Sequence, residues 1–242
     1  MLSPAGLPKK YRRRQPEGQV SRIESIRRPA EFMNNPAIRV AAYIDGFNLF
    51  FGLKSKGWRR YYWYDPRLLA ENLLRPGQSL VRVKYFTARI SAHPSDPDKH
   101  RRQAAWLEAV ETLPITSVYY GHYLRKPQRC FTCGATWDLH EEKMTDVNIA
   151  VHLLEDAYDG VFDTALLISA DRDLAAPVEA VRRRFPSKRI IVVAPPDRRS
   201  QRLESLASAV VRLGRKTLHD SQLPDRYTKP DGFVLKRPAL WT

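Results

Sequence analysis

The chain has 242 residues, of which 43% are hydrophobic, which is enough for one full core and requires no second domain of similar size. Its 41 Lys and Arg residues against 26 Asp and Glu residues give a net charge of +15, which favours nucleic acid or another polyanion as a partner. A run of about 18 apolar residues does not occur, and two cysteines are too few for a secreted disulfide framework, so we expect a cytoplasmic protein with no membrane partner.

Residues 1–36 are predicted to form a flexible basic N-terminal arm. The first 30 residues hold eight Lys or Arg against two Glu, are interrupted by prolines and show no apolar periodicity. A single globular domain is predicted over residues 37–214, followed by a C-terminal tail over residues 215–242.

Strand-like and helix-like segments alternate along that domain. The apolar run 39–44 predicts a buried first strand, and the period-two alternation within 79–90 predicts a second. Further strands are predicted at 115–120, 165–169, 189–194 and 210–213, and helices at 47–56, from Asp65-Pro66, at 96–113, at 145–158, after Asp171 and after Pro196. This alternation predicts an α/β fold, a three-layer α/β/α sandwich of the Rossmann-like kind with a central parallel sheet.

Three carboxylates are the main candidates for chemistry. Asp45 and Asp171 each follow a predicted strand, at the sheet edge where ligands bind, and Asp146 opens the helix predicted at 145–158. Each has a structural explanation taken alone, because Asp45-Gly46 suits a tight turn and the other two suit helix starts. Brought together, the three would repel one another and take up protons unless a cation neutralised them. We therefore expect a shared metal ion.

Oxygen ligands alone select Mg²⁺ or Mn²⁺ rather than Zn²⁺, and such an ion activates water for attack on a phosphodiester. Asn48, one helical turn after Asp45, is a candidate for holding the phosphate or a metal-bound water, or else caps local backbone. Lys143 is a candidate for meeting the developing negative charge, or else is a solvated loop lysine. Hydrolysis of a nucleic-acid backbone is the expected reaction.

At these residues the sequence resembles the NYN-domain proteins, the bacterial LabA-like branch of the PIN-like nuclease superfamily. The resemblance covers about residues 37–214 and implies a PIN-like sandwich and metal-dependent ribonuclease chemistry. Three segments carry it, in the family's order: Tyr43-Ile44-Asp45-Gly46-Phe47-Asn48, Glu142-Lys143-Met144-Thr145-Asp146-Val147-Asn148-Ile149-Ala150 and Leu167-Ile168-Ser169-Ala170-Asp171-Arg172-Asp173-Leu174.

By that resemblance, Asp45, Asp146 and Asp171 match the metal-binding positions and Asp173 matches a further acidic position. Asn48 matches the polar residue beside the first aspartate. One departure is Ala170, where the family commonly has Gly. The resemblance also implies an alternative, because family members without demonstrated activity exist: an RNA-binding or scaffold protein that keeps the fold without turnover.

Cations and aromatic rings alternate just after the first acidic motif, a combination typical of single-stranded nucleic-acid binding. Some of the rings between 58 and 64 are expected in the core instead. The candidate RNA contacts are Lys54, Lys56, Trp58, Arg59, Arg60, Lys143 and Arg172.

Cys130 and Cys133 form a C-x-x-C pair flanked by His122 and His140. The pair supplies only half of the ligands of a closed tetrahedral zinc site, so the signal is weak. A zinc ion here would be structural and would brace the loop that delivers Asp146. The alternatives are a loop stabilised otherwise or an intermolecular site.

The leading hypothesis is a Mg²⁺ or Mn²⁺ dependent endoribonuclease that acts on single-stranded RNA and leaves a 5′-phosphate. The sequence leaves open whether the chain forms a homo-oligomer. A phosphatase that uses an aspartate nucleophile is disfavoured because Phe47 stands where a second acidic residue is needed. Hydrolysis of nucleoside triphosphates has no support, since no Gly-rich phosphate loop with a following Lys and Ser or Thr is present.

Overall fold

The computed structural model of the chain describes residues 37–92 and 95–242, without the side chains of 123–126 and 137–142. The predicted N-terminal arm, 1–36, lies outside the described residues. No helix of the described ranges is both long and apolar enough to cross a membrane.

The described residues form strands and helices in an alternating order. The strands are β1 (Ile38–Asp45), β2 (Gln78–Thr87), β3 (Thr116–Tyr120), β4 (His122–Arg129), β5 (Thr136–Lys143), β6 (Thr164–Ile168), β7 (Arg189–Ala194), β8 (Ala209–Arg212), β9 (Arg226–Thr228) and β10 (Val234–Lys236). The helices are α1 (Gly46–Ser55), α2 (Pro66–Glu71), α3 (Lys99–Val110), α4 (Thr145–Tyr158), α5 (Ala175–Arg184), α6 (Gln201–Leu206) and α7 (Arg215–His219).

Six strands form one parallel sheet in the order β3-β2-β1-β6-β7-β8. The chain moves outward from β1 through β2 to β3, then returns past β1 and moves outward again from β6. The strand order therefore reverses between β1 and β6, where Ile44 pairs with Ile168. In open parallel sheets this reversal opens a crevice at the carboxyl ends of the strands.

Helices cover both faces of the sheet, as the sequence predicted. Successive β1 side chains point to opposite faces, so Val40 and Ile44 join the core under α1, α2 and α3. Tyr43, between them, joins the core under α4, α5 and α6. The α/β/α sandwich with a central parallel sheet is confirmed.

Helix α4 is fixed to the sheet by a buried polar cluster. Asp156, only 3% exposed, accepts hydrogen bonds from the Tyr43 hydroxyl of β1 at 2.7 Å and from the Lys84 ammonium of β2 at 2.7 Å. Lys84 is itself 4% exposed, so each charge depends on the other for solvation. Because α4 begins with the segment that carries Asp146, this contact also helps to set the position of that carboxylate.

Local sequence signals account for several of these boundaries. Asp65 caps α2 by accepting from the N–H groups of Arg67 and Leu68 at 2.7 and 2.9 Å, with Pro66 at the first helical position. Helix α4 and strand β7 begin and end at the predicted residues. The remaining predicted strands of the main sheet are within about three residues of the observed ones.

Two parts of the structure differ from expectation. The antiparallel ribbon β4–β5, outside the main sheet, was not predicted, because most of its side chains are polar and show no apolar alternation. Residues 215–242, set apart above as a tail, form α7 and the β9–β10 ribbon and bury Leu218, Leu223 and Leu235 in the core with α1–α3.

Candidate metal centre

Three carboxylates meet at the reversal point of the sheet. Asp45 is the last residue of β1, Asp171 follows the end of the adjacent β6, and Asp146 is the second residue of α4. One carboxylate oxygen from each lies within 4.8 Å of the others. The predicted convergence of these three side chains is therefore seen in the structure.

Asp45 is the buried member of the cluster. It is 3% exposed, its Oδ1 accepts from the Asn48 N–H at 2.9 Å and its Oδ2 accepts from the Ser169 hydroxyl at 2.9 Å. Burial, together with the charges of Asp146 and Asp171, raises the pKa of Asp45 to about 7, although both hydrogen bonds oppose the rise. A divalent cation would relieve this unfavourable charge, and an all-carboxylate donor set suits Mg²⁺ or Mn²⁺.

The loop after β6 is tied to the first turn of α1. The Ser169 hydroxyl, while donating to Asp45, accepts from the Asp171 N–H at 3.0 Å. The Asn48 side-chain oxygen accepts from the Ala170 N–H at 3.1 Å. Ser169 was not singled out from the sequence. Its only signal was its place between a strand end and an aspartate.

Steric constraints require a glycine directly after Asp45. A Cβ at Gly46 would lie 2.8 Å from the Phe86 carbonyl oxygen and would overlap the Tyr85 ring. The first turn of α1 can therefore pass close to β2 only with glycine at this position. Asp45 also caps the first turn of α1, so the Asp-Gly pair serves both the helix start and the carboxylate cluster.

Asp146 reaches the cluster through a strained backbone. Met144, between β5 and α4, has φ 82°, a left-handed conformation that a non-glycine residue adopts rarely and at a cost. Thr145 is buried and Asp146 half-buried directly after it. Lys143, the last residue of β5, is also half-buried beside this turn.

Two further predicted site residues have structural contacts that suggest different roles. Asp173 is exposed, its N–H donates to Asp171 Oδ1 at 2.9 Å, and it is not one of the three converging carboxylates. Asn48 holds the loop at Ala170, so of the two roles considered for it the structure shows the backbone contact. A direct role in chemistry for either residue stays a prediction.

The basic and aromatic stretch after α1 is divided between surface and core. Tyr61, Trp63 and Tyr64 are at most 5% exposed and belong to the core. Trp58 is half-buried, with the Arg215 guanidinium 5.5 Å from its ring centroid. The predicted RNA contacts that remain exposed are Lys54, Lys56, Arg59, Arg60 and Arg172, of which Lys56 pairs with Asp197 at 2.9 Å.

Sequence reasoning missed an exposed aromatic pair on α1. Phe50 and Phe51 are 39% and 44% exposed, and their ring centroids are 5.5 Å apart. The Arg198 guanidinium lies 5.8 Å from the Phe51 centroid. We call Phe50, Phe51 and Arg198 the α1 aromatic surface; it begins one helical turn beyond Asp45.

Comparison with known proteins identifies the family of the chain and agrees with its fold. The model of the NYN domain matches residues 39–214, most of the chain. The chain therefore belongs to the NYN domain family, as its acidic motifs indicated.

Two individual proteins show more distant similarity. The chain is 26% identical over 196 residues to 6-hydroxy-3-succinoylpyridine 3-monooxygenase HspA of Pseudomonas putida (strain DSM 28022 / S16), a match that covers 67% of this chain and 61% of that relative's length. A crystal structure of VPA0982, a protein of unknown function from Vibrio parahaemolyticus RIMD 2210633, superposes with a TM-score of 0.50 at 23% identity. That match covers 78% of this chain and 98% of the other and supports the fold alone.

Proposed function

We propose that this protein is a metal-dependent endoribonuclease of the cytoplasm. The observation that carries the proposal is the meeting of Asp45, Asp146 and Asp171 within 4.8 Å, with Asp45 buried, at the crevice of a NYN-domain sheet. A cluster that disfavours its own ionised state is poorly explained by helix capping, which needs only one exposed carboxylate at each site.

The residues of the chain fit a Mg²⁺ or Mn²⁺ ion. When bound by Asp45, Asp146 and Asp171, that ion supplies Lewis acidity and a water of lowered pKa for attack on a phosphodiester. Ser169 orients Asp45 and the backbone of Asp171 together, and Asn48 fixes the loop between them. Asp45 and the loop that carries Asp171 are therefore held in place before substrate arrives, which favours catalysis because less reorganisation remains.

The α1 aromatic surface supports single-stranded RNA as the substrate. Exposed rings stack on unpaired bases in any sequence, and a guanidinium next to a ring adds phosphate attraction and cation–π contact. Phe50 and Phe51 offer such faces. The Arg198 guanidinium lies beside the Phe51 ring, and the exposed Lys54 follows Phe51 closely in the sequence. A duplex keeps its bases stacked on one another and cannot use this surface.

The similarity to HspA does not lead us to propose a monooxygenase. The two sequences are only 26% identical over the matched residues, and the chain spans 61% of that protein's length. The second candidate is an RNA-binding or scaffold protein that keeps the cluster without turnover. The half-exposed aromatic surface would serve either function, so catalysis has to be tested directly.

The test is cleavage of an end-labelled single-stranded RNA, with a duplex of the same sequence alongside, in Mn²⁺, Mg²⁺ or EDTA. We expect metal-dependent cleavage of the single strand. Asp146→Asn should abolish it, while Asp159→Asn, an exposed carboxylate beyond the other end of α4, should leave it unchanged. Retained cleavage in Asp146→Asn would contradict the proposal.

A second comparison separates binding from turnover. Phe51→Ala should weaken RNA binding several-fold without altering metal binding, because base stacking contributes about 1–3 kcal/mol per base. Phe233→Ala, a similarly exposed ring on another part of the surface, is the matched control. Tight RNA binding by the wild type with no cleavage in any metal would favour the scaffold function.

A further inference from the structure

The turn of the β4–β5 ribbon holds a thiol pair that the proposed nuclease reaction does not use. Cys130 directly follows β4, and Cys133 comes three residues later; both are free thiols, and Cys133 is exposed. The Cys130 N–H donates to the Ala135 carbonyl at 2.8 Å, and the Gly134 N–H donates to the Cys130 carbonyl at 2.9 Å. The two thiols therefore lie on one closed, hydrogen-bonded loop.

A glycine sets the return of this loop. Gly134, with φ 71°, turns the chain back directly after the second cysteine, a conformation that favours glycine. Two cysteines at this spacing on one turn are a typical source of two ligands for structural zinc.

Positive charge is also close to this loop. The Arg129 guanidinium lies 3.7 Å from the position that a Cβ on Gly134 would occupy. A cluster of metal and several thiolates carries net negative charge, and a neighbouring cation offsets it. A turn that only had to join two strands would not need the paired thiols.

Among the side chains that the structure describes, one copy of the chain does not supply a closed site. The chain has only these two cysteines, and no third metal-ligating side chain joins them among the residues whose side chains are described. His122 and His140 are placed by the ribbon register opposite Lys143 and Arg125. At about 3.3 Å per residue these positions lie roughly 23 Å and 13 Å along the strand from Arg129, too far to complete the site.

We propose that the Cys130–Cys133 loops of two copies of this chain share one Zn²⁺ ion in a tetrahedral four-thiolate site. Four thiolates are a complete ligand set for structural zinc, and a second copy is the simplest source of the missing two. The ion would then join two NYN domains through their β4–β5 ribbons. Since β5 leads directly into the turn before Asp146, the metal also braces the segment that delivers that aspartate.

The test is zinc titration of the full-length protein after removal of metals, with zinc content measured by mass spectrometry of the element and molar mass by light scattering. We expect one zinc per two chains and a doubling of the molar mass on zinc addition. Cys130→Ser and Cys133→Ser should each abolish both changes, while Gln128→Ser, an exposed position on the same ribbon, should retain them. Co²⁺ in place of zinc should give the charge-transfer absorption of a four-thiolate site in the wild type and in Gln128→Ser but in neither cysteine variant.

Several outcomes would overturn the proposal: no zinc bound by the wild type, one zinc per chain in a monomer, or dimerisation that is unchanged in both serine variants. The Asp146→Asn variant separates this site from the nuclease centre. It should keep the zinc-dependent dimer while losing RNA cleavage, so failure of either proposal is seen independently of the other.

Discussion

Replacement of Asp45 by Asn should stabilise the protein at alkaline pH when metals are removed by EDTA. The carboxylate of Asp45 is 3% exposed and is surrounded by two other carboxylates, so its ionised form is disfavoured in the folded state. Asn is nearly the same shape and carries no charge. The substitution therefore removes the electrostatic cost of the cluster with little change in packing.

The size of the effect follows from the pKa. Burial raises the pKa of Asp45 from 3.8 to about 7, and each pKa unit corresponds to about 1.36 kcal/mol, so the full penalty is about 4 kcal/mol. The folded state holds the proton more tightly, so this group lowers the free energy of unfolding as pH rises from 3.8 to about 7. The penalty is about 2 kcal/mol at about pH 5 and about 4 kcal/mol at about pH 8.5.

The variant also weakens one hydrogen bond, with Ser169, at about 1 kcal/mol. We therefore expect Asp45→Asn to be more stable than the wild type by about 3 kcal/mol at about pH 8.5 and by only about 1 kcal/mol at about pH 5. The assay is urea unfolding at both pH values in EDTA. Asp163→Asn is the control of opposite sign, because hydrogen bonding from Arg39 lowers the pKa of Asp163. An equal effect of Asp45→Asn at both pH values would refute the reasoning.

Three further substitutions test other parts of the structure by the same unfolding assay. Gly46→Ala should cost about 1–3 kcal/mol or more, since its Cβ would lie 2.8 Å from the Phe86 carbonyl oxygen, and wild-type stability would contradict that close approach. Asp156→Ala should cost about 3–5 kcal/mol because it strands the buried Lys84 ammonium, and adding Lys84→Met should recover part of the loss; an additive double variant would exclude the coupling. Ser169→Ala should cost about 1–2 kcal/mol and weaken Mn²⁺ binding measured by calorimetry, and unchanged Mn²⁺ affinity would exclude its orienting role.

The sequence predicted elements well where a single face is buried. Helix α4 was placed at its observed ends from an apolar pattern at helical spacing, Val147, Ala150, Val151, Leu154 and Tyr158. The structure buries a different face of the helix, with Ile149, Leu153 and Ala157, and leaves Val147, Val151, Leu154 and Tyr158 exposed. The β4–β5 ribbon was missed because it lies outside the main sheet and its sequence is mostly polar without apolar alternation. Strands are recognised from apolar periodicity, so a mostly polar segment gives little signal.

The site divides in a similar way. Asp45 and Asp171 could be predicted because a carboxylate directly after a parallel strand falls at the binding edge of the sheet. Phe50 and Phe51 could not be predicted as a surface, because α1 is apolar around most of its circumference and only packing decides which rings are buried. Leu49 and Leu53 take the core side, which leaves the two phenylalanines exposed.

The three carboxylates of the centre do not share its electrostatic cost equally. Asp146 and Asp171 are half-buried and keep contact with water, while Asp45 is buried and its pKa is raised to about 7. The hydrogen bonds that orient Asp45, from Asn48 and Ser169, offset only part of the desolvation. The folded protein therefore keeps one poorly solvated carboxylate in a fixed position. Its burial lowers the stability of the metal-free protein, and a bound cation would recover that free energy. Selection for stability alone would replace Asp45, so its presence supports the proposal that the cluster binds a metal ion.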